Sequence, residues 1–131
     1  MDLNDKILEL SQRGYYCAGI LAKLLMETIG EENDGLVRAF SGLDGGIGHS
    51  NDVCGCMAAG CCMLGYFGED TKALQGEFTE WFKDEMLTYY GGYRCDEIIC
   101  KDISKRLTIC PGLIADVYSK VMELLSERGL I

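Results

Sequence analysis

An all-α fold, a single-domain helical bundle of about five to seven helices over residues 1–131, is what this sequence predicts. Three observations carry the prediction. Apolar residues recur at intervals of three and four almost from end to end, the period of one helix face. Alternating β-branched residues, the mark of strands, are scarce. Pro111 is the single proline in 131 residues, so little interrupts a helical backbone. The length fits one compact domain. A hydrophobic share of 48% beside 25% charged residues marks a globular chain rather than a disordered one. No linker, repeat or low-complexity tract divides it.

The elements follow in order. Leu3, Ile7 and Leu10 form a first apolar stripe, which Gly14 interrupts. Cys17, Leu21, Leu24, Leu25 and Ile29 continue at helical spacing, with Gly30 as the stop. A short helix is expected at 35–40, capped by Asn33 or Asp34. SGLDGGIGHSN, residues 41–51, holds four glycines and reads as a loop free to take positive φ or to approach another group closely. Asp52 is the expected N-cap of a helix running to about Phe67. Residues 70–90 form a longer amphipathic helix on Leu74, Phe78, Trp81, Phe82, Met86 and Leu87, ended by Gly91 and Gly92. Another helix is expected over 95–108. Pro111 reads as a helix-starting proline, followed by Leu113, Ile114, Val117, Val121, Leu124 and Leu125.

Charge and targeting exclude several classes. Twenty-one acidic residues against 12 basic ones give a net charge of -9. That opposes a nucleic-acid phosphate surface, which needs clustered Lys and Arg, and it opposes an anionic membrane. The opening MDLNDKILEL has no signal-peptide pattern, and no apolar run reaches the ~20 residues that span a bilayer. A cytoplasmic protein is expected. Thiols there are kept reduced, so eight cysteines point to metal binding or reversible thiol chemistry rather than to a disulfide framework.

The cysteines are Cys17, Cys54, Cys56, Cys61, Cys62, Cys95, Cys100 and Cys110. On the helices above, Cys54 falls in the first turn after Asp52. Cys95 starts a helix after Gly91-Gly92, with Arg94 beside it. Cys110 stands directly before Pro111. Helix starts offer free N–H groups and partial positive charge, which stabilise a thiolate. At about 100° per residue, Cys54 and Cys61 share a helix face while Cys56 points nearly opposite, so Cys54 and Cys56 are not expected to face one site. Cys61, Cys62 and Cys100 read as small buried hydrophobes, and Cys56 stays open between core and site. Thioredoxin-type C-x-x-C, paired zinc knuckles and the C-x-x-C-H of covalent haem are all absent. The GGIG segment lacks the Lys-Ser/Thr of a P-loop. His49, alone in the glycine loop, reads as a solvated histidine before a base or ligand. Tyr15, Tyr16, Tyr89, Tyr90 and Tyr93 read as packing aromatics.

Four segments together resemble a known family. They are GYYCAGILAKLL, GGIGHSNDVCGCMAAG, WFKDEMLTYYGGYRCDEII and the Cys-Pro pair at 110–111. In order and spacing they resemble the redox-active proteins named for the pattern C_GCAxxG_C_C, over about residues 13–125. The family is marked by four cysteines and is frequent in anaerobic bacteria and archaea. A related domain occurs in the split-Soret cytochromes, which are helical, dimeric and associated with an iron–sulfur centre. The resemblance implies four positions: Cys17, Cys54 or Cys56, Cys95 and Cys110. Distance from the glycine loop and the Cys-Gly pair favour Cys54; the string GCMAAG, with Met57 at the family's Ala, favours Cys56.

Two functional readings follow. In the first, cysteines from four helices converge, with Cys17, Cys54, Cys95 and Cys110 as the reacting set. They either cycle between dithiol and disulfide or, with Cys56 also available, hold an iron–sulfur cluster for electron transfer. Cys95 or Cys54 is the expected attacker in the dithiol case. The acidic surface then suits a basic redox partner, and the dimeric relatives imply a homodimer. In the second, Cys17, Cys54, Cys95 and Cys110 hold zinc as a structural staple without redox activity.

Overall fold

The computed structural model describes residues 2–99 and 103–131. It is 74% helical, with seven α-helices and no strand among the described residues. They are α1 (Leu3–Gln12), α2 (Cys17–Ile29), α3 (Asp34–Phe40), α4 (Gly55–Gly65), α5 (Lys72–Tyr90), α6 (Cys95–Ile98) and α7 (Arg106–Glu127). The one β-type pairing is an isolated bridge from Val53 to Arg94. No helix among the described residues is long and apolar enough to cross a membrane.

α2 is the axis of the bundle. Ala18, Gly19, Ile20, Leu21, Ala22, Leu24, Leu25 and Met26 are all buried, so this helix is apolar nearly all round and must be covered on every side. α1 and α7 lie on one flank, α3 on another, and α4 on a third. α4 has no charged residue and buries Cys56, Ala59, Met63 and Leu64. Its Gly60 lies directly under the Phe78 ring of α5, where an added Cβ would collide with that ring. Phe78 in turn packs on Trp81 and Phe82, at ring centroids 5.9 and 6.2 Å away. One apolar core joins α1, α2, α4, α5 and α7.

Three local expectations are corrected. α4 begins at Gly55 with Cys54, not Asp52, as its N-cap, and it ends at Gly65. Among the described residues, the helix expected over 95–108 is instead the single turn of α6, a 3₁₀ turn at Ile103–Lys105 and the first turn of α7, residues 100–102 lying outside the description. Pro111 does not start a helix. It lies inside α7, five residues after Arg106. Packing of the apolar side of α7 against α1, α2 and α4 outweighs the hydrogen bond that proline forfeits.

Candidate functional site: a three-thiol cluster on a left-handed glycine loop

The site is built from a helix start that lacks its own cap. Tyr16 precedes α2 and makes no side-chain capping bond. The missing acceptor comes from 26 residues away. Asp44 Oδ1 accepts from the Ala18 amide at 2.9 Å and from the Gly19 amide at 3.4 Å. Asp44 is only 3% exposed, and burial raises its carboxyl above the usual range while the two α2 amides oppose that rise. The same oxygen lies 3.8 Å from Cys17 Sγ, a thiol-to-carboxylate contact.

A backbone of unusual hand carries Asp44 there. Five consecutive residues, Gly45, Gly46, Ile47, Gly48 and His49, have φ between 58° and 76°. For Ile47 and His49 this left-handed conformation costs roughly 1–2 kcal/mol each. Bonds across the coil hold it: Gly48 N to Gly42 O at 2.9 Å, His49 N to Asp44 O at 3.0 Å, and Asp52 N to Gly46 O at 3.0 Å. Two adjacent glycines face the two sides of the site. The Gly45 amide favours the Cys17 thiolate. A Cβ on Gly46 would stand 2.8 Å from the Cys95 Cβ. Gly55, at the start of α4, is equally constrained, since its Cβ would meet Leu43 O at 2.5 Å and Cys17 Sγ at 2.8 Å. Without a side chain there, α4 can bring its first turn against Cys17.

Cys17, Cys54 and Cys56 are thereby gathered. Cys56 is close enough to both Cys17 and Cys54 for the three thiols to titrate together. This overturns the expectation that Cys54 and Cys56 face opposite ways. Cys54 is the N-cap, at φ -58° and ψ 126°, so its side chain does not follow the 100° helical wheel. The donated Cys56 S–H is the main reason that Cys17 and Cys54 each sit below the ordinary thiol value, against the opposing effect of burial. The same two bonds, with burial, push Cys56 well above it. The Cys54 sulfur also lies over the amides of Met57 and Cys56, which favour its thiolate, although neither contact has the geometry of a full capping bond. The three thiols titrate together, and Cys17 and Cys54 are favoured as thiolates over Cys56. A charge on Cys54 opposes a second one on Cys17. Cys17 is half-exposed, whereas Cys54 and Cys56 are 6% and 1% exposed.

The other cysteines are placed differently. Cys95 does start α6, with its amide donating to Asp52 O at 2.7 Å and its sulfur 3.9 Å from Asn51 Oδ1. It packs against the glycine loop at Gly46. Arg94 is directed to carboxylates, 3.2 Å from Asp52 and 3.4 Å from Asp96. Cys110 is half-buried within α7, not at its start, and its charge acts on the Tyr90 phenol. Cys61 is half-buried and Cys62 exposed, so the core-filler reading fails for Cys62, which sits one residue, 100°, beyond the packed face of α4. Cys100 lies outside the described residues. His49 is exposed, edge-on to Tyr16 at 5.7 Å between ring centroids, and its charge favours ionised Asp44. Asp44 is the residue that sequence reasoning passed over. Its signal was the absence of Ser, Thr, Asp or Asn before Cys17, which left the start of α2 without a local cap.

The donor set bears on the metal expectations. Among the described residues, no group of three or more His, Cys, Asp or Glu side chains is arranged to hold a metal ion. Cys17, Cys54 and Cys56 are neighbouring thiols whose titrations are linked. Neither curated proteins nor solved structures include a match to the chain. The family model described as "Putative redox-active protein (C_GCAxxG_C_C)" matches residues 15–124, from the residue before Tyr16 through most of α7. With the match spanning the glycine loop, the thiol cluster and the helices that hold them, the chain belongs to the C_GCAxxG_C_C family.

Proposed function

We propose that the protein is a thiol–disulfide redox protein in which Cys17 attacks and Cys56 resolves. The observation that supports this most is the start of α4, with Cys54 as its cap and Cys56 in its first turn, packed through Gly55 against Cys17. Cys17 is the most exposed of the three, is favoured as thiolate, and lies at the start of α2. Its thiolate attacks one sulfur of a substrate disulfide. A mixed disulfide forms, and the departing thiolate takes a proton from solvent. Cys54 releases its own proton to solvent, balancing the one taken up, and as a thiolate accepts the Cys56 proton. Cys56 then attacks Cys17 Sγ, the Cys17–Cys56 disulfide closes, and the second substrate thiol leaves. Two electrons pass from the cysteine pair to the substrate disulfide. A dithiol reductant with a basic face, suited to a chain of net charge -9, resets the pair.

The test is disulfide mapping. Reduced protein is treated with one equivalent of a small disulfide, alkylated, digested and analysed by mass spectrometry. A Cys17–Cys56 linkage is expected. The proposal fails if Cys17, Cys54 and Cys56 all stay reduced while other cysteines oxidise. It also fails if anaerobically purified protein carries iron and sulfide that Cys17→Ser removes, because the thiolates are then cluster ligands. Zinc at about one per chain, lost in the same variant, would support the structural alternative.

A further inference from the structure

The thiol cluster has a cavity beside it. The cavity holds about 560 Å³, within the size range of small-molecule sites. It lies between the lead-in to α2, the length of α3 and the glycine loop. On its wall are Tyr16, Asp44 and His49, and Cys17 Sγ, not itself a lining atom, is 3.8 Å from Asp44 Oδ1. Also on the wall are Lys23 of α2 and Arg38 of α3. Neither cation has a carboxylate within ion-pair distance among the described residues. The acids on the wall are Asp34 and Asp44. Asp34 stands in the first turn of α3, where the helix dipole offsets its charge. The Asp44 charge is taken up by the Ala18 and Gly19 amides.

We infer that this cavity binds a small disulfide bearing carboxylates, with the carboxylate at Lys23 and Arg38 and the disulfide at Asp44, the lining residue next to Cys17. The inference rests on the thiol–disulfide reading above and specifies its substrate. Lys23 follows Cys17 by six residues on one helix, roughly 9 Å of axial rise at 1.5 Å per residue. A carboxylate several bonds from the sulfur matches that separation, as in the disulfide of a short cysteine-containing peptide. Lys23 lies over the Tyr15 ring, 5.5 Å from its centroid, and neither it nor Arg38 is neutralised by a carboxylate among the described residues, so the two oppose the sign of the whole molecule. A chain of net charge -9 attracts cations from solution, so a local preference for anions must come from this wall.

Three disulfides separate the possibilities: glutathione disulfide as the anion, bis(2-hydroxyethyl) disulfide as the neutral probe and cystamine as the cation. The rate of oxidation of the fully reduced protein is measured for each at low and high salt. Glutathione disulfide is expected to react about tenfold faster than cystamine at low salt, the lower end of electrostatic steering, with the advantage shrinking as salt rises. The double variant Lys23→Ala, Arg38→Ala should lose that advantage while its rate with the neutral disulfide stays within about twofold, which also reports that the thiols remain intact. Cystamine reacting fastest, or a double variant that keeps the anion preference, overturns the inference and leaves the redox reading standing. If the neutral disulfide oxidises none of Cys17, Cys54 and Cys56, both fail together.

Discussion

Cys56→Ala removes the shared donor and nothing else of comparable size from the cluster. A hydrogen bond to a charged acceptor contributes about 1.5 kcal/mol at the low end of its range, the appropriate end for a thiol donor. A difference of 1.4 kcal/mol is tenfold in an equilibrium. Cys17 keeps the Gly45 amide, but burial and the Asp44 carboxylate continue to oppose its thiolate. The thiolate population of Cys17 at neutral pH should therefore fall about tenfold in Cys56→Ala. Iodoacetamide alkylation, resolved by peptide mass for each cysteine, reads this directly because only the thiolate reacts. Cys62, exposed on the far side of α4, supplies an internal reference whose rate should not move. Cys56→Ser restores an O–H donor and should return Cys17 to within about threefold of the wild type. An unchanged or faster Cys17 in Cys56→Ala would refute the shared-proton argument, since burial alone then accounts for the cluster. The void left by one buried sulfur costs about 1 kcal/mol, too little to unfold the domain and confuse the result.

Asp44→Ala strips the cap from α2 and should cost about 1–2 kcal/mol in urea unfolding, whereas Asp44→Asn keeps an acceptor, loses the negative charge and should speed Cys17 alkylation at neutral pH. Gly60→Ala drives a Cβ into the Phe78 ring and should destabilise by about 1–3 kcal/mol despite alanine's better helix propensity. In a Phe78→Leu background the same change should become neutral or stabilising, measured as a double-mutant cycle. Stability under reducing conditions should follow the thiols. Cys17 and Cys54 titrate lower in the folded chain, so the unfolded chain holds more protons and stability rises toward the ordinary thiol value of 9.0. Cys56 titrates well above that value in the folded chain, so further rise in pH ionises it only when unfolded and stability falls. Urea midpoints measured from pH 7 to 10 should show that turnover, with a shallower alkaline fall in Cys56→Ala.

What the sequence determined by itself was the helical class, the limits of α2 and α3, and most of α5. It also placed the glycine loop and the cysteines on which the chemistry turns. These follow from local rules: apolar spacing sets a helix face, Gly30 and Gly91 take the left-handed stop, and Asn33 caps its own helix through the Leu36 amide at 3.0 Å. Tertiary structure decided the rest, because the deciding partners are far apart in the chain. Whether Cys54 or Cys56 belongs to the site had no local answer. A two-residue shift in the start of α4, from an Asp52 cap to a Cys54 cap, releases Cys54 from the helical wheel and sets it beside Cys56 at Cys17. Pro111 obeyed a local rule only until the packing of α7 overrode it. Asp44 is a loop residue by sequence and becomes the cap of α2 only when a left-handed coil delivers it across 26 positions. Its closeness to Cys17 is a product of long-range hydrogen bonding, and no window of sequence contains both groups.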